Sequence, residues 1–157
     1  MTHHHLKVGD NALEFTLNNH QNKKTAPMSL AGKRILLSFH PLAWTSVCEI
    51  QMRTLELKKA IFDEFNVIAF GISVDSVHSK KAWAKVMEIN DTNLLADFWP
   101  HGEVAEKYGL FLEDKGVSER ANVLIGLDRT IEWIKVYEMH QIPDIEEIIR
   151  FVSSKKQ

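Results

Sequence analysis

The chain has 157 residues, 45% of them hydrophobic and 25% charged, which suits one domain with a buried core. Nineteen Lys and Arg stand against 21 Asp and Glu, a formal net charge of −2, so nothing in the charge draws it toward nucleic acid or anionic lipid. The single cysteine, Cys48, excludes an intrachain disulfide, a CxxC redox pair and a cysteine-rich zinc site, and points to a reducing compartment.

The chain opens Met1-Thr2-His3-His4-His5. Residues 1–6 read as a flexible or tag-derived end of one domain spanning 1–157. No apolar signal segment follows, and no stretch reaches the length of a membrane span, so a cytoplasmic location is the default expectation.

Leu13-Glu14-Phe15-Thr16-Leu17 alternates as a half-buried strand does, and Asn18 to Asn22 reads as a turn. Arg34 to Phe39 is a buried-strand run between Gly32 and Pro41. From Ser46 to Phe65, Val47, Ile50, Leu57, Ile61 and Phe65 recur at helical spacing, with Asn66 at the end. Val67 to Ser73 is a second buried strand. Asp75 or Ser76 caps a helix to about Glu88 that carries Val77, Trp83 and Val86. Leu94 to Ala96 is a third strand, and a short helix from Gly102 to Tyr108 stops at Gly109. Asn122 to Ile125 and Ile131 to Val136 form two strands around a turn at 126–130. A last helix runs from about Pro143 to Val152, with Pro143 in its first turn. This alternation defines an α/β layered domain whose central sheet is at least partly parallel.

Sites in such sheets lie where strand ends meet helix starts. Phe39-His40-Pro41-Leu42-Ala43-Trp44-Thr45-Ser46-Val47-Cys48 is such a place. The free amides and dipole of a helix N-terminus favour a thiolate, and the Thr45 hydroxyl lies three residues from Cys48. Two readings remain open from spacing alone. Cys48 is a reactive thiol, or it is inert packing with Thr45 or Ser46 as a simple helix cap.

The wording of the segment separates them. Pro41-x-x-x-Thr45-x-x-Cys48 resembles the active-site signature of the peroxiredoxins. Val8-Gly9-Asp10, Phe15-x-Leu17 and Ser29-Leu30-x-Gly32-Lys33 are similar to the family's opening segments. Gly71 to Ser76 resembles its strand and turn after the active-site helix. Leu95-x-Asp97-Phe98-Trp99-Pro100-His101-Gly102 and Tyr108-Gly109 resemble the one-cysteine branch of the alkyl hydroperoxide reductase E and bacterioferritin-comigratory type. Gly116 to Ala121 carries the arginine that precedes the family's late strand. Four positions depart from the usual wording: Leu13, Ser46, His40 in place of a common aromatic, and Thr130.

The resemblance implies a thioredoxin-like fold, a central mixed β-sheet flanked by helices, and thiol-dependent reduction of hydrogen peroxide or organic hydroperoxides. It makes Cys48 the peroxidatic cysteine, Thr45 the residue that hydrogen-bonds the peroxide, Pro41 the shield of the thiolate, and Arg120 the guanidinium approaching Cys48 from elsewhere in the sheet. On residues alone, Arg120 reads first as a surface ion pair with Glu119 or another carboxylate. His40 is a substitute for a packed ring, or a titratable group near the thiol. With no second cysteine, a Cys48 sulfenic acid must be reduced by an external thiol, small or of a thioredoxin/glutaredoxin-like protein, or meet Cys48 of another subunit. The family also implies a homodimer face at the active-site loop, the helix bearing Trp83 and the segment around Phe98-Trp99. No zinc or calcium motif and no phosphate loop occurs, and Asp97, His101 and Glu103 have no metal-site spacing, so no cofactor or metal is expected. The rival readings on the same fold are a non-catalytic redox sensor or binding protein and an inert structural module.

Overall fold

A computed structural model of the chain describes residues 4–155, so His3 of the histidine run lies outside the described residues. Near the start of the chain, β1 (Leu17–Asn18) and β2 (Lys24–Thr25) form a small antiparallel ladder. The main sheet is built from β3 (Arg34–Phe39), β4 (Val67–Ser73), β5 (Asn93–Ala96), β8 (Arg120–Ile125) and β9 (Ile131–Tyr137). Their spatial order is β5-β4-β3-β8-β9. β3 pairs parallel with β4, and β4 with β5, whereas β3–β8 and β8–β9 are antiparallel. The sheet is therefore mixed. Between β5 and β8 in the chain, β6 (Phe111–Leu112) and β7 (Val117–Ser118) form a second small ladder.

Both faces of β3 are covered, which is why it reads as a continuous apolar run rather than an alternation. Leu36 faces a core built with Met52, Leu55, Phe62, Trp83, Met87, Ile148 and Val152. Those residues come from α1 (Ser46–Leu57), α2 (Lys59–Glu64), α3 (Val77–Met87) and α5 (Ile145–Ser153). Ile35, Leu37 and Phe39 face a second core with Phe15, Val104, Ala105 and Tyr108, the last three on or beside α4 (Glu103–Lys107). Gly71 of β4 has a packing reason, because a Cβ there would collide with the Met52 sulfur of α1.

Several expectations are corrected. Leu13 to Thr16 is not a strand: Phe15 is buried as the alternation requires, but the Leu13 amide and carbonyl bond to the Tyr108 hydroxyl, at 3.1 and 2.8 Å, instead of to a ladder. The long helix is two, divided at Lys58, and one turn before the break the Thr54 hydroxyl bonds the Ile50 carbonyl, a local bond of the kind that bends helices. Its core stripe is Cys48, Met52, Leu55 and Phe62, whereas Ile50 and Leu57 are 43% and 81% exposed. In α3, Val86 is likewise exposed. Pro143 precedes α5 rather than sitting in its first turn, since Asp144 is the cap and accepts from the Glu146 amide. Of the two candidate caps for α3, Ser76 takes the role by accepting from the Ser79 amide.

Candidate active site

β3 ends at Phe39 and the chain crosses His40 to Thr45 before entering α1, which puts Cys48 in the first helical turn. The first i to i−4 bond runs from Glu49 to the Thr45 carbonyl, so the amides of Ser46, Val47 and Cys48 stand outside that ladder at the positive end of the helix. Trp44 has φ +72, a left-handed turn that a bulky residue adopts only when held, and its indole N–H donates to the Ser79 hydroxyl at 3.0 Å. The Ala43 amide donates to the Asp75 carboxylate at 2.7 Å. The start of α3 thus fixes the loop at two consecutive residues.

Cys48 is 0% exposed. Arg120, the first residue of β8, reaches it across β3: its Nη1 lies 3.3 Å from Sγ and 2.9 Å from Gln51 Oε1. Its Nε and Nη2 donate to the Met139 carbonyl at 3.1 and 2.6 Å. The Gln51 amide in turn donates to Ser38 Oγ at 2.7 Å and to the Phe39 carbonyl at 3.1 Å. Arg120 is buried, so a surface pairing with Glu119 is not its role. The guanidinium is a permanent cation and lies in direct contact with the sulfur.

Thr45 is the N-cap residue by backbone position, yet its side chain makes no capping bond; the hydroxyl donates to the Leu42 carbonyl at 2.9 Å. With its proton so engaged, Oγ1 presents lone pairs and can accept from an O–H. Pro41 is half-buried in the same loop. The structure therefore brings Arg120 onto Cys48 and places Thr45 and Pro41 in the loop that precedes it. Gln51 and the Met139 carbonyl are not evident from the sequence. Gln51 has a signal, being one turn along α1 from Cys48 and so on the same face, while a backbone carbonyl leaves no trace in side-chain patterns.

His40 is fully buried, tilted against Trp83 with ring centroids 5.5 Å apart, and its Nε2 lies 3.2 Å from Lys80 Nζ. Burial first, then the Lys80 charge, pushes its pKa well below the usual histidine range, so the ring is neutral. Asp97 accepts from the amides of Val104 and Ala105 at the start of α4, and a ring nitrogen of His101 bonds the Gly116 carbonyl. Among the described residues no cluster of three or more His, Cys, Asp or Glu could hold a metal ion, and no helix is long and apolar enough to cross a membrane.

A thiol held at a helix start under an arginine, on this mixed sheet, defines a thiol-based redox enzyme of thioredoxin-like fold. Residues 8–134 match the AhpC/TSA family. The chain is 31% identical over 140 residues to alkyl hydroperoxide reductase E of Mycobacterium tuberculosis, covering 88% of this chain and 91% of that one. It superimposes on the crystal structure of peroxidoxin BcpB from the same organism with a TM-score of 0.84 at 23% identity, over 98% of this chain and 100% of that one. A reduced Plasmodium vivax 2-Cys peroxiredoxin gives a TM-score of 0.84 at 27% identity, over 98% of this chain and 81% of that one. The chain belongs to the AhpC/TSA family of peroxiredoxins and is a peroxidase.

Proposed function

We propose that the protein reduces hydrogen peroxide or organic hydroperoxides by a one-cysteine cycle centred on Cys48, with Arg120, Thr45 and Pro41 as the other site residues. The observation that carries this is the 3.3 Å approach of Arg120 Nη1 to Cys48 Sγ in a buried setting. The thiolate attacks the nearer peroxide oxygen. An S–O bond forms, the O–O bond breaks, and the departing oxygen leaves as hydroxide or alkoxide and takes up a proton. Arg120 and the free amides of Val47 and Cys48 lie where charge develops along the O–O axis, Thr45 Oγ1 accepts the peroxide O–H, and Pro41 limits access of water. The sulfenic acid then meets an external thiol, giving water and a mixed disulfide, and a second thiol releases Cys48. Cys48 is the only cysteine in the chain, which leaves no resolving partner within it. That thiol is a small molecule or a thioredoxin- or glutaredoxin-like protein, and the cytoplasm supplies it.

Stoichiometric peroxide with a sulfenic-acid trap is expected to place one adduct at Cys48 by mass spectrometry, and Cys48→Ser to abolish peroxide loss. An accessible Cys48 that yields no adduct overturns the reading, and an adduct without turnover on thiol supports the sensor instead.

The protein acts as a homodimer in this reading. Leu42, Trp44, Phe98 and Trp99 are 41–81% exposed, and a group of large apolar side chains on the loops around a site marks an interaction face. Trp83, by contrast, is core. Trp99→Glu is expected to shift the species measured by sedimentation from dimer to monomer. A wild-type monomer at micromolar concentration rejects this reading.

A further inference from the structure

Lys80, on α3, is 0% exposed, and such a lysine needs a reason. Its ammonium donates to the Ser73 hydroxyl, which donates to Asp75 Oδ2 at 2.6 Å, and the other Asp75 contact is the Ala43 amide of the active-site loop. On the opposite side Nζ meets His40 Nε2 at 3.2 Å, one residue before Pro41. The chain Lys80–Ser73–Asp75–Ala43 and the pair Lys80–His40 therefore grip the same loop at its two shoulders. A protonated Lys80 requires Nε2 as acceptor, which puts the ring proton on His40 Nδ1, a buried atom with no hydrogen-bond partner. The ring is thus held by Lys80 and by Trp83, with the Ser38 backbone beside its polar edge. A negative charge on Cys48 acts on Lys80 through space and favours the ammonium form.

We propose, on the reading that Cys48 is the reactive thiol, that Lys80 is a positioning residue which anchors the active-site loop through His40 and lends the Cys48 thiolate a second positive charge beside that of Arg120. Two cations and one thiolate are balanced by Asp75, which holds Lys80 through Ser73. The charged and titratable groups that act on Lys80 and His40 are Asp75, Asp97, Cys48, His20 and Arg120. Burial brings the Lys80 pKa down to about 7, against the pull of Asp75, Cys48 and Asp97. The second charge is consequently present in mildly acid solution and withdrawn as pH rises through neutrality.

The test is the rate of Cys48 alkylation by a small neutral haloacetamide against pH, in the reduced full chain. In Lys80→Met the midpoint of that profile is expected to move up by roughly one pH unit, the size of effect a nearby buried charge has on an ionisable group. His40→Phe, which keeps a packed ring but removes the acceptor, is expected to move it in the same direction by a smaller step. A midpoint unchanged in folded Lys80→Met overturns the proposal. If that variant does not fold, an unchanged midpoint in His40→Phe overturns it equally. The readout uses no peroxide, so a failed sulfenic-acid trap in the wild type would reject the peroxidase reading without altering this result.

Discussion

Arg120 divides its guanidinium among three acceptors: Cys48 Sγ, Gln51 Oε1 and the Met139 carbonyl. The last two fix the plane of the group, so its charge sits at the sulfur without reorganisation when the reaction begins. Lysine has the charge but not the fork. Arg120→Lys is therefore expected to fold normally and to lower the second-order rate of Cys48 oxidation by roughly 10²–10³-fold, the range for losing one preorganised donor to developing charge. A stopped-flow rate within a few fold of wild type would show that the guanidinium geometry does not matter. Arg120 is legible in the sequence, because Pro41, Thr45, Cys48 and Arg120 stand in recognisable wording. Lys80 is not. A lysine among Lys81 and Lys85 on a helix reads as one more solvated charge, and only the fold shows that it points inward at His40.

Among the elements, legibility follows how each one satisfies its backbone. β3 and β4 match their expected bounds because both are apolar on two faces and end at breakers: Gly32 before β3, Pro41 after it, Asn66 before β4 at φ 56. Leu13 to Leu17 carries an equally clear alternation, yet only Leu17 enters a ladder. The remainder lies along the second core, where the Leu13 amide and carbonyl are served by the Tyr108 hydroxyl, 95 residues away, a partner no local pattern contains. The misread stripe of α1 has a similar origin. Counting Ile50 and Leu57 but not Cys48 and Gln51 rotates the helix, because a buried cysteine and a buried glutamine are both contributors to the inner face here. The glutamine is inside because Ser38, Phe39 and Arg120 use both ends of its amide, so the error in the helix and the omission from the site are one event. The β6–β7 ladder, two residues on each side, is too short for any periodicity to show.

At the scale of the whole molecule, the buried lysine must leave a mark on stability. Its ordinary value of 10.5 applies to the unfolded chain and about 7 to the folded one. Between those limits the unfolded state binds a proton that the folded state does not, so this group makes stability rise with pH. Its contribution is complete above 10.5 and lost as pH falls through about 7, below which both states carry the charge and its burial counts fully against folding. His40 acts with the same sign at lower pH, since its neutral ring must gain a proton when the chain unfolds in acid. The two separate above pH 7, where an unfolded histidine is already neutral. Comparing Lys80→Met with its parent, both in a Cys48→Ser background to remove the thiol, isolates the lysine. From pH 7 to 10 the parent is expected to gain on the variant by up to about 1.4 kcal/mol per pH unit in urea unfolding. A difference that stays flat across that range means Lys80 keeps an ordinary titration in the fold. The buried His40–Lys80 contact would then not be the environment in which this lysine spends its time.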